Sequence, residues 1–157
     1  MRFARSIVSA TACVLSAVFV GGIAADLDWA FAAVAAKDSR SFMVGVVQPA
    51  TQVLWDFGYA EKMTDQDWAK VGKAAADLVG AAPTIAAGGF NAAEKARAKS
   101  AGWQDWSKKV SATAAAAKRA ADTKNQGELA TAGDALAEIC SGCHTAFDPN
   151  AKDPGAK

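Results

Sequence analysis

The sequence predicts an all-α domain, an antiparallel four-helix bundle, behind an N-terminal export segment. Three observations carry that expectation. Apolar residues recur at spacings of three and four through four stretches, Gly, Pro and polar clusters separate those stretches, and none shows the alternation of a strand. At 157 residues the chain has room for one ordinary domain. Hydrophobic residues make up 52% and charged residues 21%, which excludes both a disordered acidic chain and a multi-span membrane protein. Lys and Arg number 17 against 16 Asp and Glu, with no basic block, so no nucleic-acid partner is expected. Three cysteines and one histidine are too few for a disulfide scaffold or a four-ligand zinc site.

The N-terminal segment comes first. Arg2 and Arg5 precede an uncharged run from Ile7 to Ala25 that ends in Gly22-Ile23-Ala24-Ala25. A basic start, an apolar run and a small-residue exit are the parts of a secretory signal peptide, here residues 1–25. Val34-Ala35-Ala36 offers a later cleavage site, as late as residue 36. Left uncleaved, the run would anchor the chain in a membrane, its length being close to a bilayer span. Cleavage after Ala25 leaves residues 26–157 as one domain of net charge −1, because the segment holds two of the 17 basic residues and no acidic one. Cys140 and Cys143 are then the only cysteines, and Met43 and Met63 the only methionines.

The helices follow in order. From Ser39 to about Phe57, the positions Met43, Val46, Val47, Ala50, Val53, Leu54 and Phe57 define one apolar face. Pro49 inside that stretch lacks an N–H and is expected to kink it. Thr64-Asp65-Gln66-Asp67 opens a second helix with a capping residue and early acids, and its inner face reads Trp68, Val71, Ala75, Leu78 and Val79. Pro83 and Gly88-Gly89 are expected to end it in a loose connection. A third helix runs from about Trp103 to Asp122, with Trp106, Val110, Ala114, Ala117 and Ala121 inward. Thr123 to Gly127 reads as a polar break. A fourth helix carries Leu129, Ala132, Leu136, Ile139, Cys140, Cys143 and Phe147 on one side and stops at Pro149.

The chemistry lies in Cys140-Ser141-Gly142-Cys143-His144. Cys-x-x-Cys-His is the attachment signature of c-type haem. On a helix, residues three and four apart share a face, so both thiols and the imidazole can address one ligand. The thiols would form thioethers with the haem vinyl groups, and His144 would bind the iron on the proximal side. A thioredoxin-like dithiol would sit near a βαβ pattern, which is absent, and zinc would need a further carboxylate ligand. A disulfide across this turn would leave His144 without a role. Both cysteines and the only histidine of the mature chain fall in one pentapeptide behind an export signal, and haem c is attached outside the cytoplasm. One covalent haem c in a periplasmic protein is therefore the expectation.

With that motif near the C-terminus, on the last of four helices, the chain resembles the class II cytochromes c, the cytochrome c prime group, over residues 38–149. The specific part of the resemblance is Ile139-Cys140-Ser141-Gly142-Cys143-His144-Thr145-Ala146-Phe147. Class I cytochromes c instead carry the motif early, with a methionine far downstream; here no methionine follows His144. The resemblance implies a non-enzymatic monohaem protein of one of two kinds. With a methionine on the first helix as sixth ligand, it is an electron carrier. Without one, it is a five-coordinate protein that binds nitric oxide or carbon monoxide. Met43 lies where the distal ligand belongs, Met63 less so, and Arg40 is the candidate partner for a haem propionate. The resemblance also allows a homodimer and implies a redox partner protein in the electron-carrier case.

Overall fold

The computed structural model describes residues 36–147. The signal segment, its cleavage sites and the residues after Phe147 lie outside the described residues. Every element described is helical: α1 Ser39–Phe42, a π-helical turn Met43–Val47, α2 Gln48–Gly58, α3 Asp65–Ala87, α4 Ala92–Arg97, α5 Ala101–Thr123 and α6 Gln126–Phe147. The fold class is all-α, and no described helix is long and apolar enough to cross a membrane.

The helix starts follow from local hydrogen bonding. Asp38 accepts from the Ser41 amide at 2.7 Å, while the Ser41 hydroxyl accepts from the Asp38 amide at 3.2 Å. Thr64 and Asp67 make the same reciprocal pair at the start of α3. Each pair satisfies N–H groups that a helix start leaves without partners. Ser100 and Asn125 cap α5 and α6 through their side-chain oxygens. At the other end, α3 closes on Gly88, whose φ of 83° places it in the left-handed region that glycine occupies without strain.

Pro49 is accommodated rather than disruptive. The chain stays right-handed helical from α1 through α2, but the turn before the proline widens, and the Gln48 amide donates to Met43 O, five residues back. The wider turn moves the proline ring off the carbonyl it would otherwise strike. Thr51 is buried one turn later, and its hydroxyl donates to Val47 O at 2.8 Å.

The inward positions largely match the apolar stripes. Val46, Val47, Ala50, Leu54, Trp68, Val71, Ala75, Leu78, Val110, Ala114, Ala117, Ala121, Leu129, Ala132 and Leu136 are buried in one core. α3 packs on α5, α5 on α6, and α2 on both α3 and α6. The alanines of α5 let its neighbours approach closely. Indole hydrogen bonds tie the helices across the core: Trp55 donates to Gly133 O and Trp103 to Ile85 O, each at 2.8 Å.

Four details depart from the sequence expectation. Val79 is 41% exposed, because the buried line of α3 runs through Val71, Ala75, Leu78, Ala82 and Ile85, and Val79 sits about eighty degrees from its centre. Pro83 lies inside α3 instead of ending it. The carbonyl that loses its donor belongs to Val79, four residues back on the solvent side. The loose connection after Gly89 contains α4, opened by an Asn91–Glu94 capping box. The break before α6 is also shorter than expected, since Thr123 still belongs to α5 and Gln126 already opens α6.

Candidate cofactor site

α6 places Cys140, Cys143 and His144 on consecutive turns. Gly142, between the cysteines, is packed against the Trp106 indole of α5, and a Cβ there would overlap the ring. The Lys109 ammonium lies over that indole, 4.1 Å from its centroid. No other residue type fits position 142 without moving Trp106. The turn between the two thiols is thus backed by α5.

On the opposite side lies a cavity of about 570 Å³. It is lined by Cys140, Cys143, His144 and Phe147 of α6, by Arg40, Met43, Val47 and Thr51 of the first helical segment, and by Leu78, Ile85, Trp103 and Val110 from α3 and α5. Arg40, Met43, Cys140, Cys143 and His144 therefore line one space. Met43 is half-buried against the core, while Arg40 and His144 are exposed. Met63 also packs on the core but does not line the cavity. Of the tryptophans, Trp55 and Trp103 line it, Trp68 is buried in the core, and Trp106 backs Gly142.

The electrostatics are those of an apolar chamber with a charged edge. Both thiols are free and half-buried. Burial pushes the Cys140 thiol above its ordinary pKa; burial and the neighbouring Cys140 do the same for Cys143. Thiols raised in this way are protonated and weakly nucleophilic at neutral pH. Among the described residues, no three His, Cys, Asp or Glu side chains converge closely enough to hold a metal ion. Among the described residues, no buried side-chain nitrogen or oxygen lacks a hydrogen-bond partner. The chamber therefore asks for an apolar occupant, with polar contacts confined to its edge.

Several lining residues were not singled out from the sequence. Arg97 and Glu94 reach the cavity from α4. Glu94 accepts from the Phe90 amide at 2.8 Å and from the Asn91 amide at 3.3 Å, and these bonds, chiefly the Phe90 one, hold its carboxyl below the usual range. The Asn91-x-x-Glu94 spacing was the visible signal for this helix. Arg97 donates to Phe147 O at 2.8 Å. Nothing in the sequence joins residues fifty positions apart, so its place could not be read there.

Compared with known proteins, the chain matches no family model, no curated protein and no solved structure.

Proposed function

We propose that this chain is a c-type monohaem protein: an antiparallel four-helix bundle that carries one haem c on Cys140 and Cys143, with His144 as proximal ligand. Within that class we propose an exported, periplasmic electron carrier of the class II cytochrome kind, with Met43 as sixth ligand. The observation that carries the reading is the shared cavity. It joins the Cys-x-x-Cys-His turn of α6 to the one methionine and the one arginine singled out on the first helix.

The residues fit the group on three counts. A volume of about 570 Å³ lies within the range of roughly 300–1,000 Å³ typical of cofactor pockets. The donor set is right for haem c: two thiols for thioethers, an imidazole and a soft thioether for iron. The absence of a convergent three-donor cluster among the described residues disfavours zinc, while haem iron asks the protein for only one or two axial donors. Bound haem would supply a reversible one-electron couple. Around it, Val47, Leu78 and Val110 would keep water from the iron, which favours the less charged ferrous state. The Met43 sulfur would add a neutral donor that raises the potential, and Arg40 would anchor a carboxylate at the edge.

Absorption spectroscopy of the purified protein and of Met43→Ala tests this. The wild type should be low-spin with a weak sulfur-to-iron band in the far red. Met43→Ala should lose that band and admit carbon monoxide while keeping covalent haem; Met63→Ala should change neither. A wild type that is already high-spin and binds carbon monoxide at once would make Met43 a packing residue and the protein a gas binder.

A further inference from the structure

We infer that Arg97 is a positioning residue for the proximal ligand: it clamps the final turn of α6, and so fixes the direction in which His144 is presented. This rests on the haem reading for His144, but the clamp itself stands on geometry. The last four carbonyls of a helix have no partner within it. At the described end of α6, the Phe147 carbonyl accepts from the Arg97 guanidinium of α4 at 2.8 Å. A cation at a helix C-terminus is also favoured by the helix dipole.

A second element holds the same turn. The Phe147 ring meets the Trp103 indole edge-on, with centroids 5.2 Å apart, and that indole is itself fixed by its bond to Ile85 O. Phe147 is three residues beyond His144 and so lies on the same side of the helix. Arg97, Trp103, His144 and Phe147 all line the one cavity. α4 is held in turn, since Gln104 donates to Ala98 O at 2.7 Å and to Ala86 O at 3.0 Å. The clamp is therefore anchored to α3 and α5, not to a free loop. A ligand on an unclamped last turn would sample several ring orientations, each giving the iron a different field.

The test uses the mature, haem-loaded chain and its Arg97→Ala, Arg97→Lys and Lys95→Ala variants. Amide exchange at Thr145–Phe147 should quicken about tenfold in Arg97→Ala, the effect of losing one charge-assisted hydrogen bond. The ferric electron paramagnetic resonance spectrum, a single species in the wild type, should broaden or split. Arg97→Lys should fall between, because ammonium keeps the charge but loses the planar fork, and it carries the test alone if Arg97→Ala does not fold. Lys95→Ala, on the same short helix, should match the wild type. Faster exchange with an unchanged resonance spectrum would make Arg97 a structural residue only and overturn the inference. Unchanged exchange would overturn the clamp. A wild type without covalent haem would overturn the haem reading instead, and the exchange comparison would still decide whether the clamp exists.

Discussion

Replacing Gly142 by Ala should show how tightly the cysteine turn is backed by α5. Two terms oppose each other. Ala is favoured over Gly inside a helix by about 1 kcal/mol. Against this, the new Cβ would overlap the Trp106 ring, and forcing a methyl into an occupied position costs about 1–3 kcal/mol. Moving the ring would also disturb its contact with the Lys109 ammonium, which lies 4.1 Å from the centroid and is worth about 0.5–1 kcal/mol. Taking the middle of the range, Gly142→Ala should destabilise by about 1 kcal/mol. With Trp106→Leu in place the obstacle is gone, and the same substitution should stabilise by about 1 kcal/mol. The sign should reverse, a coupling of about 2 kcal/mol. Urea unfolding followed by helical circular dichroism on the four chains of the cycle measures it. Equal stabilisation by Gly142→Ala in both backgrounds would refute the packing of Trp106 on this turn.

Two further substitutions test other parts of the molecule. Leu54 is fully buried between α2 and its neighbours, so Leu54→Ala should cost about 3 kcal/mol by urea titration; a loss under 1 kcal/mol would place it outside the core. Glu94 has a folded pKa below its unfolded value, through the Phe90 amide first, then the Ser39 hydroxyl and the Asn91 amide. Its contribution is therefore complete above the unfolded carboxylate pKa of about 4.3, and is lost as pH falls through the lower folded value. Glu94→Gln should flatten the acid side of the stability–pH profile. An acid limb as steep as that of the wild type would show that the Phe90 and Asn91 bonds contribute nothing to it.

Much of the architecture was legible because the chain uses strong local signals. Capping residues at Thr64, apolar spacing through Val71, Ala75 and Leu78, and alanine runs in α5 each specify helix without help from the rest of the fold. What the sequence concealed depends on neighbours. Val79 is as apolar as its neighbours, yet only the rotation per residue sets it outside the buried line. A proline such as Pro83 usually ends a helix, but here the carbonyl it deprives belongs to the exposed Val79. Pro49 demanded some accommodation; that it would be a widened turn next to Met43 depends on how the first helix packs. The site divides in the same way. Cys140, Cys143 and His144 announce themselves by spacing, and Met43 and Arg40 by their place on the first helix. Arg97 and Glu94 joined them only when α4 folded beside the end of α6.

The central claim is that Cys140 and Cys143 carry a haem, and peptide mass spectrometry tests it most directly. Trypsin should release residues 125–152 from the mature, exported protein as one peptide containing both cysteines and His144. This peptide should carry the mass of one haem, resist thiol alkylation, and lose the added mass when both cysteines are replaced by Ala. The same peptide recovered from the exported protein at its unmodified mass, with two thiols open to alkylation, would contradict it.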